Sequence, residues 1–173
     1  MVGRRKCLKQ GRSDNCLRAD SGEWHWRGAG FCATLGPMPD LSALTVGLTG
    51  TAEIVVGEEH TAPRVGSGRV RVLATPVMIN VMEAAALAAV EHLLPPGHQS
   101  LGTHLDVGHY AATPVGMRLR GTAEVTKVDG RNITFRVEAH DDKERVGDGT
   151  HVRVVVNVER FDQRVQKKLQ DKR

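Results

Sequence analysis

Between Val77 and Val90 the chain reads VMINVMEAAALAAV, and only Asn80 and Glu83 interrupt its apolar side chains. Such a run predicts a helix that is buried on most sides. Thr75 and Pro76 stand where a helix begins, as an N-cap and a first-turn proline, and Pro95, Pro96 and Gly97 stop it. Upstream, LTGTAEIVV reads as a strand, EEHTAPRVGSG as a loop and RVRVLAT as a second short strand or an extended entry to the helix. Downstream come four strand candidates: SLGTHLDVGHYA, GMRLRGTAEVTKV, NITFRVEAHD and HVRVVVNVER. The junctions ATPVG, VDGR and DDKERVGDG are turn chemistry, and VDGR between two alternating segments predicts a hairpin. The final FDQRVQKKLQDKR predicts a short amphipathic helix or a frayed end. One long helix followed by an antiparallel meander implies an α+β domain, with a curved sheet wrapped around the helix.

The first 37 residues show no period of 2 or 3.6 and are rich in Gly, Arg and small polar residues. They are expected to form a disordered or loosely attached leader, with the folded domain at 38–173 and Met38 as an alternative start. All three cysteines lie in the leader, with no CxxC pair, so neither a disulfide framework nor a cysteine nucleophile is expected in the domain. The net charge of +4 is confined to the ends. Residues 1–37 carry seven Lys/Arg against three Asp/Glu, and residues 160–173 carry six against two. Residues 38–159 carry eleven against fifteen and are acidic, which argues against a nucleic-acid-binding face on the fold. No stretch approaches about 18 uninterrupted apolar residues and no apolar signal segment opens the chain. A cytoplasmic protein with no membrane partner is therefore expected.

Within this pattern a few polar residues are out of place. Thr75 has a sufficient explanation as a helix cap. Glu83 has none, because it lies too deep in the helix for capping or for a dipole effect. A carboxylate among apolar neighbours is paired, neutralised or in use. It pairs with an arginine, meets a symmetry mate, or performs chemistry. Asn80 precedes it by three residues and shares its face. In SLGTHLDVGHYA, strand alternation places Thr103, Leu105, Val107 and His109 on the helix side and Gly102, His104, Asp106 and Gly108 on the other. His109 thus points inward, and Gly102 and Gly108 permit close approach of a backbone or a ligand. His104 and Asp106 lack a third metal ligand, and GSGR lacks the lysine of a phosphate loop. No metal and no cofactor are expected.

The segments ATPVMINVMEAA, SLGTHLDVGHYAATPVGM and AHDDKERVGDGTHVRVVVNVERFDQRV together resemble the hotdog-fold acyl-CoA thioesterases, and within them the fluoroacetyl-CoA thioesterase group. The resemblance spans about residues 46 to 168. In that group a Thr eight residues before a Glu opens the central helix, and a His lies within H-x-A-A-T-P-x-G. Here these positions match Thr75, Glu83 and His109, and the substrate-side glycine of SLGT matches Gly102. The resemblance implies hydrolysis of a small or medium acyl-CoA to free acid and coenzyme A. Glu83 would act as base or nucleophile, His109 as acid/base, with Thr75 assisting and Gly102 on the substrate side, where Asn80 is also expected because it shares the face of Glu83. It also implies a homodimer or a dimer of dimers with the site at the seam. One departure is visible: HTAPRVGSGRVRVLA, ahead of the helix, has no aromatic residue where the fluoroacetyl enzymes carry an aromatic-bearing lid, so the acyl group stays open. The alternatives are a non-catalytic acyl-CoA-binding module and a hotdog enoyl-CoA hydratase. The hydratase motif places Asp and His five apart before a helix, whereas Asp106 and His109 are three apart on a strand.

Overall fold

The computed structural model describes residues 39–170. The expected leader and its boundary at residue 37 lie outside the described residues. Among the described residues five strands form one sheet: β1 (Thr49–Val55), β2 (His98–His109), β3 (Arg118–Asp129), β4 (Asn132–Asp141) and β5 (Arg145–Asn157). The spatial order is β1-β3-β4-β5-β2, and every neighbouring pair is antiparallel. The VDGR hairpin forms as expected, with Asp129 paired to Asn132 and Gly130 at φ 58° in the turn. The helices are a single turn, α1 (Ala62–Val65), the long α2 (Thr75–Val90) and the terminal α3 (Val158–Gln170). Two 3-10 turns, Glu58–His60 and Glu91–Leu93, flank the segment that contains α1 and α2.

The sheet curls over α2 on the β1–β3 side. Met78, Val81, Met82, Ala85, Ala86, Ala89 and Val90 of α2 are buried against Leu119, Val125, Ile133, Phe135, Val137 and Val155. Complete burial of a methionine or leucine side chain contributes on the order of 1.5–3 kcal/mol, so this face holds the helix. Gly50 of β1 lets the helix come closest: a Cβ there would overlap the backbone of Ala85 and Ala89. That contact is why α2 carries AAALAA at this level. Thr75–Leu93 has the length and mean hydropathy (1.2) of a membrane span, and 39% of it is buried inside the fold.

Three expectations need correction. The helix is not buried all round. Pro76, Asn80, Ala84 and Ala88 are exposed, and Ile79, Glu83 and Leu87 are half-buried. A single sheet covers one side of a helix, and α2 is uniformly apolar enough to conceal which side. Of the two readings of RVRVLAT, the strand does not form and the segment enters the helix instead. It is a bent segment tied to loops by Val72 O to Ala62 N–H, Thr113 O to Leu73 N–H, and one bridge between Thr61 and Leu73. The last strand begins six residues earlier than HVRV suggests. Gly147 and Gly149, which read as turn residues, lie inside β5 opposite His109 and Val107. They are glycines because a Cβ would meet the backbone of Gly108 and Asp106, and at Gly147 also the Met78 sulfur at 2.8 Å.

Candidate active site

α2 and β2 run past each other along one seam, and the sequence-predicted residues gather at its two ends. Thr75 is the first helical residue rather than the cap, a role that falls to Ala74. The Thr75 hydroxyl is instead 2.8 Å from Nδ1 of His109. His109 points inward, as alternation predicts. Its Nε2 is buried and has no hydrogen-bond partner among the described residues. An unpaired buried nitrogen costs on the order of 1–3 kcal/mol, so its persistence suits a group waiting for a ligand. Burial holds the His109 pKa below the ordinary histidine value, partly offset by a backbone hydrogen bond at Ala111.

Glu83 lies toward the other end, with its side chain 32% exposed. The arginine pairing considered from sequence is real. Glu83 Oε1 is 3.5 Å from Nη1 of Arg153 and 3.5 Å from Nε2 of His151. Arg153 is buried and its guanidinium is heavily engaged. Nε–H donates to Ser100 Oγ at 2.9 Å, Nη2–H to the Ser100 carbonyl at 2.8 Å, and Nη1 lies 3.2 Å from Nε2 of His151. Ser100 in turn donates its hydroxyl to Glu91 Oε2 at 2.7 Å and its N–H to Oε1 at 3.1 Å. His151 is fully buried, stacks with Phe135, and holds the His104 carbonyl with Nδ1 at 3.0 Å. Burial lowers its pKa, and Arg153 adds to that effect. Among the described residues no hydrogen bond joins Glu83 to Thr75 or His109. Eight helical residues rise about 12 Å, which keeps the two clusters apart in one chain.

A bulge explains how Gly102 comes to the site. The β2–β5 register shifts between Gly102 and His104, leaving Thr103 as the extra residue. Thr103 is therefore exposed, with its hydroxyl on the Val152 carbonyl, contrary to the inward position expected of it. Gly102 moves to the helix side, where a Cβ would lie 2.5 Å from Glu83 Oε1 and 3.1 Å from the His151 ring. Simple alternation had placed it on the opposite face. His104 and Asp106 are exposed, as expected, and Asn80 is exposed on the stripe that carries Glu83. Gly102→Ala is expected to push the half-exposed carboxylate aside, lowering kcat by about tenfold with little change in Tm, as kinetics and a melting curve will show.

Sequence reasoning missed His151, Arg153, Ser100 and Glu91. In HVRVVV either phase of the alternation puts valines inward, so the pattern could not reveal that the His-x-Arg phase faces α2. The available signal was the pairing of His-x-Arg with the small residues of SLG on a neighbouring strand.

His109 and His151 together fix an acid sensitivity. Each has a folded-state pKa depressed below 6.5, so the unfolded chain binds a proton more readily than the native one. Stability is thus intact above the ordinary value and falls as pH drops from there through the folded values. Melting curves recorded from mildly alkaline to mildly acidic pH are expected to show Tm decreasing below about pH 6.5, and replacing His151 with Gln to reduce the slope.

Comparison with known proteins gives the family and the fold. Residues 56–159 match the family model described as FlK, fluoroacetyl-CoA-specific thioesterase. A fluoroacetyl-CoA thioesterase of Streptantibioticus cattleyicolor is 44% identical over 97 residues, 56% of this chain and 70% of the relative. The solved structure of the fluoroacetyl-CoA thioesterase FlK aligns with a TM-score of 0.69 at 37% identity, covering 72% of this chain and 97% of its own. A Thermus thermophilus protein described as a thioesterase superfamily member aligns at 0.68 and 27% identity, covering 74% and 94%.

Proposed function

We propose a catalytic arrangement for a chain that belongs to the fluoroacetyl-CoA-specific thioesterase family and hydrolyses an acyl-CoA thioester. Glu83 is the general base, and the Thr75–His109 pair stabilises the reacting thioester. The observation that carries this reading is the unpartnered Nε2 of His109, buried at the α2–β2 seam that also holds Glu83. In the Nε2–H tautomer the Thr75 hydroxyl donates to Nδ1 at 2.8 Å, and the Nε2–H points to substrate. Water attacks the thioester carbonyl carbon as Glu83 takes its proton. The C–S bond then breaks, Nε2–H of His109 stabilises the departing thiolate, and the proton held by Glu83 passes to the sulfur. The products are the free acid and coenzyme A. Gly102 keeps the space beside Glu83 open to the acyl group, and Asn80 borders it on the same helix stripe.

The site is completed by a second copy of the chain. β2 is an edge of the sheet, and an exposed edge of twelve residues invites pairing. Antiparallel pairing of β2 with its copy about a twofold axis reverses chain direction. The Glu83–Gly102 end of one protomer then lies beside the Thr75–His109 end of the other, which joins clusters that one chain keeps apart. Light scattering at micromolar concentration is expected to give at least a dimer, and a fully active monomer would overturn the shared site.

The substrate proposed is a small or medium acyl-CoA without selectivity for fluorine. The support is the segment from Gly57 to Ala74, which forms a 3-10 turn, one helical turn and bends, and carries no aromatic side chain. Thiol release from acetyl-, fluoroacetyl-, butyryl- and octanoyl-CoA tests it. Hydrolysis of the short chains with similar kcat/KM for acetyl and fluoroacetyl is expected. A strong preference for fluoroacetyl-CoA would refute the lack of selectivity.

A further inference from the structure

We infer that His151 is a positioning residue for Glu83, acting as a neutral hydrogen-bond acceptor that holds the Arg153 guanidinium away from a close ion pair with the carboxylate. The inference rests on the proposed role of Glu83. Nδ1 of His151 faces the His104 carbonyl at 3.0 Å, and a carbonyl only accepts, so Nδ1 carries the hydrogen. Nε2 of the neutral ring is then a lone pair. It faces Nη1 of Arg153 at 3.2 Å, which donates to it. The same Nη1 is 3.5 Å from Glu83 Oε1, at the margin of a hydrogen bond.

Arg153 is thus held on three sides. Ser100 takes Nε and Nη2, and Glu91 holds Ser100 from behind. His151 takes the share of Nη1 that would otherwise close on Glu83. A bidentate, short Arg–carboxylate pair would lower the basicity of Glu83 and lock it. The long contact instead leaves the carboxylate unlocked, with its oxygens open to a water molecule. The groups facing His151 are Glu83 from α2, Arg153 from its own strand, the His104 backbone and imidazole from β2 and the Phe135 ring from β4. A proton on Nε2 would remove the acceptor and set a second cation against Arg153. Burial opposes that proton.

The test compares His151→Phe, His151→Gln and Glu83→Gln in the full chain, with circular dichroism to confirm folding. The Phe variant keeps an apolar ring and loses the acceptor. It is expected to lower kcat at least tenfold with KM changed less than twofold, and to move the acid limb of the kcat profile to lower pH. The Gln variant offers an amide oxygen to Arg153 and is expected to recover most of kcat. Nitrogen-15 NMR of the wild-type ring is expected to show the Nδ1–H tautomer, neutral across the active pH range. A folded Phe variant with unchanged kcat and pH profile overturns the inference, as does a Gln variant no better than Phe, or a ring protonated at Nε2. Loss of activity in Glu83→Gln with unaffected His151 variants overturns this inference alone. Full activity in Glu83→Gln overturns the general-base reading itself.

Discussion

Glu83→Gln is expected to lower kcat by about 10²–10⁴ while the protein stays folded. Glutamine has nearly the shape of glutamate and retains an oxygen for the Arg153 contact at 3.5 Å, so the network around Arg153 and Ser100 is left in place. What disappears is the ability to accept a proton from water. The side chain is about a third exposed, so its charge is not a large burial cost, and Tm is expected to move by only a few degrees in either direction. Single-turnover thiol release, measured beside a melting curve, separates the two effects. A folded Glu83→Gln protein with wild-type turnover would remove Glu83 from the chemistry and leave it as the ion-pair partner of Arg153.

The largest stability effect belongs to Arg153, whose side chain is only 6% exposed. Arg153→Met keeps the apolar stem and removes every donor of the guanidinium. The Ser100 hydroxyl and carbonyl and the Nε2 of His151 then lose their donor inside the fold. Removing one partner from a buried ionic network costs about 3–5 kcal/mol. Glu83 reaches water, so the expected loss is at the low end, about 3 kcal/mol, or roughly 10 °C in Tm for a domain of this size. Chemical denaturation should show a lower midpoint with an unchanged slope. Activity is expected to fall as well, because an unanchored Glu83 leaves its place beside Gly102. A variant as stable as wild type would show that the Ser100–Arg153–Glu83 chain is decorative for folding.

Much of the architecture could be read from local chemistry. The helix ends at the Pro95-Pro96-Gly97 stop, allowing for one intervening 3-10 turn, β4 has the bounds its alternation implies, and the VDGR hairpin carries its glycine at positive φ. These features depend on spacing and backbone preference, which neighbours in sequence determine. Glu83 and His109 could be singled out for the same reason, each being a polar group where local pattern demands something else, whereas Thr75 fits the pattern as a cap and was matched only through the resemblance. The resemblance to thioesterases added their grouping, which periodicity could not supply.

Other features depend on which elements meet. Thr75 reads as an N-cap until β2 brings His109 to within 2.8 Å of its hydroxyl, and a cap and a cross-element hydrogen bond look alike in sequence. Gly102 changes face because one extra residue, Thr103, slips the register against β5, and nothing in SLGTHL marks which residue is unpaired. Arg153 and His151 sit in a strand where both faces are rich in valine, so only the packed sheet decides that their phase points at Glu83. Sequence by itself determined the elements, their order and the polar residues that violate the apolar pattern, because those follow from short-range periodicity. Tertiary structure alone decided the pairing of those residues and the network behind Glu83, because hydrogen-bond partners 53 and 70 residues apart become neighbours only when strands register and a helix packs across them.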